Sequence, residues 1–493
     1  MGENNKNIKN KNIFSKKYCF LYAKKYIIKL IWENRKAVIM RKYFGTDGIR
    51  RIANTELTPE LVYKVAKAGA YVLSKHSDHV PTILIGRDTR ISGTLIESAM
   101  TAGFLSYGAN VKLLGVIPTP GVAYLTKKLK ADAGVVISAS HNTFEFNGIK
   151  YFSNKGIKIP DEIEEEIEEI LEAGNFDELT ARPNKIGVAE YREDLAEEYI
   201  FLLRKNFEEN IEKNLTADFC VALDVANGAT YKVAEEVFKK IGIQYHIINN
   251  NPDGININEN CGSTHLENLK KFVIENKMNL GIAYDGDGDR CLAVDEKGNE
   301  IDGDILLAIF GEYLREKGKL KNDTIVATIM TNLGLNKFSK EHNINLKQTK
   351  VGDRYVLEEM LKNNYNIGGE QSGHIIMLDY NPTGDGILTS LMLIQILLEK
   401  NIKTSELCGT INKYPQVLIN VKVDNTKKSL YLEDEEIQTK IKTIENEFKD
   451  NGRVVIRASG TEPLIRVMIE GQEQKVIEQK AKELADLIKI KLN

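Results

Sequence analysis

Cysteine is scarce in this sequence and scattered where it does occur. The 493 residues include five cysteines, an odd number, and no two of them stand in a C-x-x-C spacing. This usage supports neither a disulfide framework nor a zinc site, because both need cysteines that are paired or closely spaced. It is typical of a reducing compartment, and we therefore expect a cytoplasmic protein.

An excess of one charge and long apolar runs are also lacking. The 67 Lys and Arg balance 70 Asp and Glu to a net charge of −3, so the chain has no global basic surface for nucleic acid. No run of about 18 apolar residues exists, which argues against a transmembrane helix. No Walker pattern occurs, so a nucleotide is not the obvious phosphate carrier. The sequence therefore predicts neither nucleic acid nor a membrane as partner.

The first forty residues differ in charge from the rest. Residues 1–40 contain nine Lys and one Arg against two Glu, a net charge of +8, which leaves −11 for residues 41–493. Lysines interrupt the apolar part of this segment and no small-residue cleavage site follows it, which argues against a signal peptide. Two interpretations remain, an amphipathic segment at a membrane surface and sequence upstream of a start at Met40. We favour the second and expect residues 1–40 to lie outside the fold.

Short apolar runs alternate with helical stretches along the rest of the chain. A buried run from Thr82 to Gly86 precedes a helical stretch from about Ser92 to Tyr107, and the same order recurs further on. This alternation predicts the α/β class. The pattern breaks near residues 190, 294 and 410. After about 410 it changes to strands followed by a long C-terminal helix, which indicates a smaller α+β unit.

An acidic run from Asp161 to Glu172 carries isoleucine and leucine at helical spacing. This pattern predicts a helix that covers a core face and exposes its charged side to solvent. We therefore assign it no chemistry.

Four loops carry unusual chemistry, and the first follows a buried strand that ends at Ile137. It reads Ser138-Ala139-Ser140-His141-Asn142. Open α/β sheets place their ligands at the carboxyl ends of strands, where this loop lies. A serine-rich turn and a Ser-His hydrolase are alternatives, although the G-x-S-x-G pattern of many hydrolases is missing. The spacing alone leaves the role of Ser140 open.

The second loop, Asp285–Arg290, alternates aspartate with glycine between two apolar runs. The glycines let a tight loop turn the carboxylates of Asp285, Asp287 and Asp289 towards one point. Three close negative charges raise one another's pKa unless a cation lies among them, and oxygen ligands suit Mg²⁺ or Ca²⁺. Arg290 stands where an EF-hand needs glycine. A cation at that position instead indicates a loop that handles phosphate.

The third loop, Gly368–His374, reads GGEQSGH. Its glycines give access to the backbone, and its Glu, Gln, Ser and His side chains suit the vicinal hydroxyls of a sugar. A structural turn explains this motif equally well.

The fourth loop, Arg457–Pro463, reads RASGTEP and is followed by Arg466. Two hydroxyls, a glycine amide and two arginines within ten residues predict a nest for a phosphate dianion. A surface turn is the alternative. The candidate ligands are Arg457, Ser459, Gly460, Thr461 and Arg466.

Taken in this order, SASHN, DGDGDR, GEQSGH and RASGTEP resemble the loops of the α-D-phosphohexomutases, and Phe44–Arg50 (FGTDGIR) resembles a signature near the start of that family. The resemblance covers essentially residues 41–493. It implies three related α/β domains around a central cleft plus a smaller α+β C-terminal domain. We place these domains at residues 41–190, 191–293, 294–409 and 410–493, each with one of the four loops.

The resemblance also implies an activity. Ser140 would carry a phosphoryl group, and Asp285, Asp287 and Asp289 would hold one Mg²⁺ together with a phosphate oxygen on Ser140. The enzyme would be an isomerase that interconverts hexose 6- and 1-phosphates through a 1,6-bisphosphate. The segment 326–335 and Gln371 are most similar to members that act on glucosamine phosphates and feed amino-sugar nucleotide synthesis. Members that act on mannose or glucose phosphates, and a phosphosugar or metal sensor without turnover, are alternatives.

Further residues receive roles from the same resemblance. Lys150 and His141 match positions for proton transfer and charge stabilisation. Three carboxylates and a phosphoserine near −2 leave about −3 beside one Mg²⁺, so Arg50, Lys150 and Arg290 are expected to supply positive charge. Sugar contacts are implied for Glu370, Ser372 and His374, and contacts to the unreactive phosphate for Arg457, Ser459, Gly460, Thr461 and Arg466. The partner is a phosphosugar, and the oligomeric state stays open, with a homodimer as one option.

The sequence departs from the family pattern at three positions. Thr143 stands where proline usually follows SASHN, Phe146 where aspartate often precedes Asn-Gly, and Arg51 where glycine usually follows GTDGIR. None of these changes removes a predicted ligand. Thr143 and Phe146 adjoin the Ser140 loop and therefore bear on its rigidity.

Overall fold

Within the described residues, four β-sheets follow one another along the chain. The computed structural model describes residues 42–45, 47–75, 77–209, 219–409, 411–459 and 463–492. The basic segment 1–40 lies outside the described residues, as do Gly460 and Thr461 of the fourth loop, so the predictions for them stay predictions. The domain boundaries proposed from the sequence likewise stay predictions.

The strands are assigned to the sheets in chain order. The first sheet comprises β1 Phe44–Gly45, β2 Gly48–Ile52, β3 Thr82–Arg87, β4 Asn110–Val116, β5 Ala133–Ile137, β6 Phe146–Ser153 and β7 Ala189–Tyr191. The second comprises β8 Cys220–Asp224, β9 Gln244–Ile248, β10 Leu280–Tyr284, β11 Cys291–Asp295 and β12 Glu300–Ile301. The third comprises β13 Thr324–Thr328, β14 Asn345–Thr349, β15 Ile367–Gly369 and β16 Ile375–Met377. The last comprises β17 Gln416–Lys422, β18 Gly452–Ala458 and β19 Leu464–Gly471.

The helices connect and cover these strands. In the first part of the chain they are α1 Pro59–Ser74, α2 Gly93–Tyr107, α3 Thr119–Lys128, α4 Asp161–Ala173, α5 Ala196–Glu208, α6 Thr230–Ile241 and α7 Glu267–Glu275. The later helices are α8 Gly303–Glu316, α9 Leu333–Glu341, α10 Asp353–Asn363, α11 Gly386–Lys400, α12 Thr404–Cys408, α13 Glu435–Phe448 and α14 Gln474–Leu492. Among the described residues, no helix has the length and apolarity that a membrane span requires.

The first three sheets share one arrangement. In each, a central strand (β3, β8 or β13) pairs in parallel with a strand on either side. The last of these parallel strands (β5, β10 or β15) then turns back into an antiparallel partner, β6, β11 or β16. The turns between these antiparallel strands are the first three loops of the sequence analysis. Each of these three loops therefore occupies the same place in its sheet. The predicted fold class of three related α/β domains and a smaller C-terminal one is confirmed.

One hydrophobic core joins the second and third sheets. Leu223 and Ile282 of the second sheet belong to the same buried cluster as Ile325 of the third, together with Phe310 of α8 and Leu393 of α11. The close packing of such a core fixes the two sheets relative to each other. The loops that follow β10 and β15 are therefore held in a fixed position relative to each other.

The C-terminal unit is antiparallel, with β19 between β17 and β18. Residues of α13 and α14, such as Ile444 and Leu484, form its separate core with Ile465 and Val467. The sequence predicted α14 but not α13. A local signal for α13 was present, because Asp434 caps that helix by accepting hydrogen bonds from the amides that follow it.

The acidic helix α4 buries more charge than its sequence predicts. Glu164 and Glu168 are buried along with the apolar residues of the helix. Glu164 pairs with Arg354 of α10 at 3.0 Å, and Glu168 accepts a hydrogen bond of 2.6 Å from the amide of Phe44. The helix is thus not only a solvated cover, since it also ties the first sheet and α10 together.

Candidate active site

Ser140 lies in the turn between β5 and β6, at the carboxyl end of β5. Ser140 is 1% exposed, and its hydroxyl donates a hydrogen bond of 2.6 Å to Asp285 Oδ2. The two residues are separated by 145 positions in sequence. The structure therefore brings the predicted phosphoryl carrier against the predicted metal loop.

Asp285, Asp287 and Asp289 converge as their spacing predicts. One carboxylate oxygen from each lies within 4.8 Å of the others, and all three residues are buried. Within the described part of the chain, Asp287 Oδ1 and Asp289 Oδ1 have no hydrogen-bond partner. Leaving a buried carboxylate oxygen without a partner is unfavourable, and oxygen ligands suit hard cations. The three carboxylates thus form a site for a metal ion.

Burial and mutual repulsion act unequally on these carboxylates. Burial and the charges of Asp287 and Asp289 raise the pKa of Asp285 well above its usual value. Burial also opposes the charge of Asp289, but Lys150 and His374 outweigh it and hold the pKa of Asp289 well below its usual value. A cation among the three carboxylates would oppose this shift at Asp285, because it stabilises the ionised form.

Lys150 supplies positive charge beside the aspartates. Its buried ammonium group lies 2.9 Å from Asp287 Oδ2, 3.0 Å from Asp47 Oδ2 and 3.5 Å from Asp289 Oδ2. Burial disfavours the ammonium form, but the three carboxylates outweigh it and raise the pKa of Lys150 well above its usual value. The ammonium group therefore stays charged at neutral pH, which suits charge stabilisation rather than proton acceptance.

His141 and Arg290 contact each other across the first two loops. Arg290 Nη1 donates a hydrogen bond of 3.0 Å to His141 Nδ1. Burial and the charges of Arg290 and Arg50 lower the pKa of His141 to about 4, so the imidazole is neutral near pH 7. Arg50 pairs with Asp47 at 2.7 Å and donates to Asn142 at 2.9 Å. The predicted cations Arg50 and Arg290 are thus both within the cluster.

The third loop adjoins the metal loop through its backbone. The amide of Cys291 donates to the carbonyl of Gly373 at 3.0 Å. Gly373 has a φ of +90°, and a Cβ there would lie 2.3 Å from the Cys291 carbonyl oxygen, so only glycine fits. In the same loop, Glu370 accepts a hydrogen bond of 3.1 Å from the amide of Gly352. The hydroxyl of Ser372 has no protein partner within the described residues.

His374, for which the resemblance implies a sugar contact, is a buried residue. It is 3% exposed, with Nδ1 3.6 Å from Asp289 Oδ2 and Nε2 3.6 Å from Asp353 Oδ2. Nε2 also accepts a hydrogen bond of 3.1 Å from the amide of Gly384. The structure thus places His374 between two carboxylates, against the metal site.

Two arginines of the fourth loop are direct cross-strand partners, Arg457 on β18 and Arg466 on β19. Burial and the charge of Arg466 lower the pKa of Arg457, while the carboxylate of Glu370 opposes that shift. Glu370 therefore lies within electrostatic range of this pair, and it also acts on Arg290. Ser459 is buried at the end of β18. Two like charges held side by side are typical of a site for a dianion.

Several residues that complete the cluster were not predicted from the sequence. Thr119 Oγ1 donates to Asp287 Oδ2 at 2.7 Å, and Lys158 pairs with Asp353 at 2.5 Å. A common signal was available, because ligand-facing residues of α/β sheets follow the carboxyl ends of parallel strands. The residues in such positions are Asp88 and Arg90 after β3, Thr119 after β4, Asn258 after β9 and Asp353 after β14.

Comparison with known proteins places all four units in one family. Models of the phosphoglucomutase/phosphomannomutase domains match in order, with alpha/beta/alpha domain I at residues 41–178, domain II at 197–298, domain III at 302–414 and the C-terminal domain at 418–487. The phosphoglucosamine mutase of Ruminiclostridium cellulolyticum is 52% identical over 457 residues, which cover 92% of this chain and 100% of the relative. The phosphoglucosamine mutase of Clostridium botulinum (strain Kyoto) is 53% identical over 454 residues, with the same coverage.

Solved structures share the fold. A phosphoglucomutase/phosphomannomutase family protein from Burkholderia thailandensis aligns with a TM-score of 0.74 at 20% identity, over 90% of this chain and 97% of that one. The N-acetylphosphoglucosamine mutase of Aspergillus fumigatus, in complex with GlcNAc-6P and magnesium, aligns with a TM-score of 0.66 at 18% identity, over 92% of this chain and 96% of that one. The four matched domains and the relatives at more than half identity agree with the loop geometry, and the chain belongs to the phosphoglucomutase/phosphomannomutase family.

Proposed function

We propose that this protein acts as a phosphoglucosamine mutase, an isomerase that interconverts glucosamine 6-phosphate and glucosamine 1-phosphate. One observation carries the proposal, the 2.6 Å hydrogen bond from Ser140 to Asp285 within the aspartate cluster. It puts a nucleophilic hydroxyl directly beside a metal-ion site. The relatives at 52% and 53% identity that are named phosphoglucosamine mutases support the choice of sugar.

The metal ion of this proposal is Mg²⁺. Asp285, Asp287 and Asp289 would hold it together with an oxygen of a phosphoryl group on Ser140. When bound, it would neutralise negative charge on the transferring phosphoryl group. The carboxylate oxygens of Asp287 and Asp289 that lack a partner support this assignment.

The surrounding residues divide the work of phosphoryl transfer. Lys150 and Arg290, with Arg50 behind them, stabilise the charge on the equatorial oxygens of the phosphoryl group. His141 is neutral, and its Nδ1, 3.4 Å from Ser140 Oγ, accepts a hydrogen bond from Arg290, so it holds the Arg290 guanidinium beside that oxygen. His374 holds Asp289 in position from behind.

The third and fourth loops bind the substrate. Glu370 and Ser372 contact the sugar hydroxyls, and Arg457, Ser459 and Arg466 bind the phosphate that is not reacting. The phosphoryl group moves from Ser140 to the free hydroxyl of the sugar, and the resulting 1,6-bisphosphate turns round. Its other phosphoryl group then returns to Ser140. Each transfer is made between two oxygens, so the enzyme ends the cycle phosphorylated as it began.

The direct test is to incubate the protein with glucosamine 6-phosphate, Mg²⁺ and a trace of glucose 1,6-bisphosphate and to follow the product by ³¹P NMR. We expect glucosamine 1-phosphate to accumulate to equilibrium. Mannose 6-phosphate and glucose 6-phosphate are assayed in parallel. A higher kcat/KM with either of these would overturn the choice of sugar and leave the family assignment untouched.

A second prediction concerns the phosphate site of the C-terminal unit. We expect Arg466→Ala to raise KM for glucosamine 6-phosphate about tenfold or more, because a hydrogen bond to a charged group contributes about 1.5–3 kcal/mol. The effect on kcat is expected to be smaller, since Arg466 lies on β19 of the C-terminal sheet, whereas Ser140 follows β5 of the first sheet. Steady-state kinetics measure both constants. Lys489→Ala is the control, because Lys489 lies on the exposed face of α14. Arg453→Ala is unsuitable, because Arg453 pairs with the buried Glu470.

A further inference from the structure

The backbone of Ser140 is held in an unusual conformation. Its φ is +52°, in the left-handed region that residues other than glycine, asparagine and aspartate seldom adopt. Such a conformation persists only where the surrounding structure determines it. The contacts that fix this turn therefore also decide where the hydroxyl of Ser140 points.

The first set of contacts comes from a buried ion pair at the end of β3. Arg90 is 1% exposed, and its Nη2 donates to the carbonyls of Ser140 at 3.0 Å and Asn142 at 2.8 Å. Its Nη1 donates to the carbonyl of Phe146 at 3.0 Å and to that of Thr143. Every one of these acceptors is a main-chain carbonyl of the Ser140 loop or of Phe146, the first residue of β6.

Asp88 completes this set from the other side of the turn. It pairs with Arg90 Nε at 2.8 Å and accepts a hydrogen bond of 2.6 Å from the hydroxyl of Ser138. That hydroxyl accepts in turn from the amide of Ser140 at 2.9 Å. The amide and the carbonyl of Ser140 are thus both tied to one ion pair.

The second set comes from the unit that carries the aspartates. Asn258, in the loop after β9, donates through Nδ2 to the same two carbonyls, Ser140 and Asn142, at 2.9 Å each. Its own amide is anchored to the carbonyl of Ala226 at 3.0 Å. The metal loop packs directly on this point, because a Cβ on Gly286 would lie 2.5 Å from the Ser140 carbonyl and 2.8 Å from Asn258 Nδ2.

We propose that Arg90 and Asn258 are positioning residues that align Ser140 with the aspartates. Arg90 fixes the turn within the first sheet, and Asn258 joins the same two carbonyls to the second sheet, where Asp285 lies. The alignment of hydroxyl and metal site therefore depends on one side chain from each unit. The inference rests on the proposed function, because it explains how the phosphoryl carrier meets the metal-ion site.

This arrangement also bears on Thr143 and Phe146, the two departures from the family pattern beside the Ser140 loop. Arg90 contacts both residues through their backbone carbonyls. Any residue type provides such an acceptor. The rigidity of the loop is thus set by Arg90 and Asn258, not by the side chains at these two positions.

Asn258 offers the cleaner test. The φ of Asn258 is +59°, so Asn258→Gly removes the side-chain amide without straining the backbone. Asn258→Asp keeps the shape of the side chain but replaces the Nδ2 donor with an acceptor. We expect kcat to fall about 100-fold in both, as for a misplacement of about 1 Å, while KM for glucosamine 6-phosphate changes little. Asn260→Gly, at an exposed position of the same loop with a similar φ of +52°, is expected to match the wild type.

Arg90→Lys and Arg90→Ala extend the test. Lysine reaches fewer carbonyls than arginine, so Arg90→Lys should retain part of the activity that Arg90→Ala loses. Arg87→Ala is the matched control, because Arg87 ends β3 three residues before Arg90 but pairs with Glu97 at 3.4 Å. The folded fraction is measured by near-ultraviolet circular dichroism, and rates are expressed per folded molecule.

The decisive readout is the rate at which glucose 1,6-bisphosphate phosphorylates Ser140, followed by intact mass. A merely structural role would lower the folded fraction and leave this rate per folded molecule unchanged. Wild-type rates in the Asn258 variants would overturn the inference, whereas a wild-type enzyme that never takes up a phosphoryl group would overturn the proposed function instead.

Discussion

Ser140→Ala is expected to lower kcat by on the order of 10³-fold or more, as the loss of other covalent nucleophiles does. Alanine has no oxygen on which a phosphoryl group can be carried. The fold should survive, because the change removes one hydrogen bond of about 1 kcal/mol and Asp285 keeps the amide of Arg290 as a donor at 3.1 Å. Turnover is measured by ³¹P NMR and folding by thermal denaturation.

The control for this variant is Ser98→Ala, an exposed serine of α2 whose hydroxyl bonds only within its own helix. Intact mass before and after phosphatase treatment should show one phosphoryl group on the wild type and on Ser98→Ala, and none on Ser140→Ala. Substantial turnover by Ser140→Ala would contradict the mechanism. A wild type that binds phosphosugars yet never carries phosphate would instead identify a sensor.

Asp287→Asn is the second variant with a large expected effect. Asp287 Oδ2 accepts from Thr119 and Lys150, while Oδ1 faces the metal-ion site without a protein partner. An amide of the same shape removes the negative charge and half of the acceptors. We expect kcat to fall about 100-fold and the Mg²⁺ concentration for half-maximal activity to rise at least about tenfold. Mutation of residues that only hydrogen-bond to metal ligands already lowers metal affinity or activity by about 10–100-fold.

Titration of activity with Mg²⁺ separates the two effects. Stability should change little, because Lys150 keeps Asp47 and Asp289 within 3.0 and 3.5 Å. Asp379→Asn is the control, since its carboxylate pairs with Lys321 on the surface at 2.7 Å. An Asp287→Asn enzyme with unchanged metal dependence would show that the ion is bound elsewhere.

Much of the local structure could be predicted from the sequence. The apolar run Thr82–Gly86 lies within strand β3, Thr82–Arg87, and the helical stretch from about Ser92 to Tyr107 forms α2, Gly93–Tyr107. The family prediction is confirmed by the matched domains and the relatives. Apolar periodicity and helix start and stop signals depend on residues a few positions apart, which is why such elements can be predicted from one segment.

The convergence of the three aspartates was equally local. Asp285, Asp287 and Asp289 stand within five residues, on the turn of a hairpin whose strands were visible as apolar runs. Glycine at the alternate positions leaves the backbone free to bring the carboxylates together. The metal-ion site could therefore be predicted before any fold was known.

Other parts of the cluster depended on contacts that no spacing shows. His374 lies 3.6 Å from both Asp289 and Asp353, carboxylates that no motif relates to it, and the sugar contact implied for it stays a prediction. Arg90 lay in a turn to which no role was assigned. Asn258 stands 118 residues from Ser140 and still shares its carbonyl with Arg90.

The sequence by itself determined which loops carry chemistry and which residue types each of them offers, because a short motif constrains its own backbone and its immediate neighbours. Only the tertiary structure decided that Ser140 meets Asp285, that Lys150 lies between Asp47 and Asp287, and that Arg90 and Asn258 hold the same turn. Three of those contacts, Ser140–Asp285, Lys150–Asp287 and Asn258–Ser140, join the unit of the first sheet to that of the second. Tertiary packing fixes such distant segments in place irrespective of their separation along the chain.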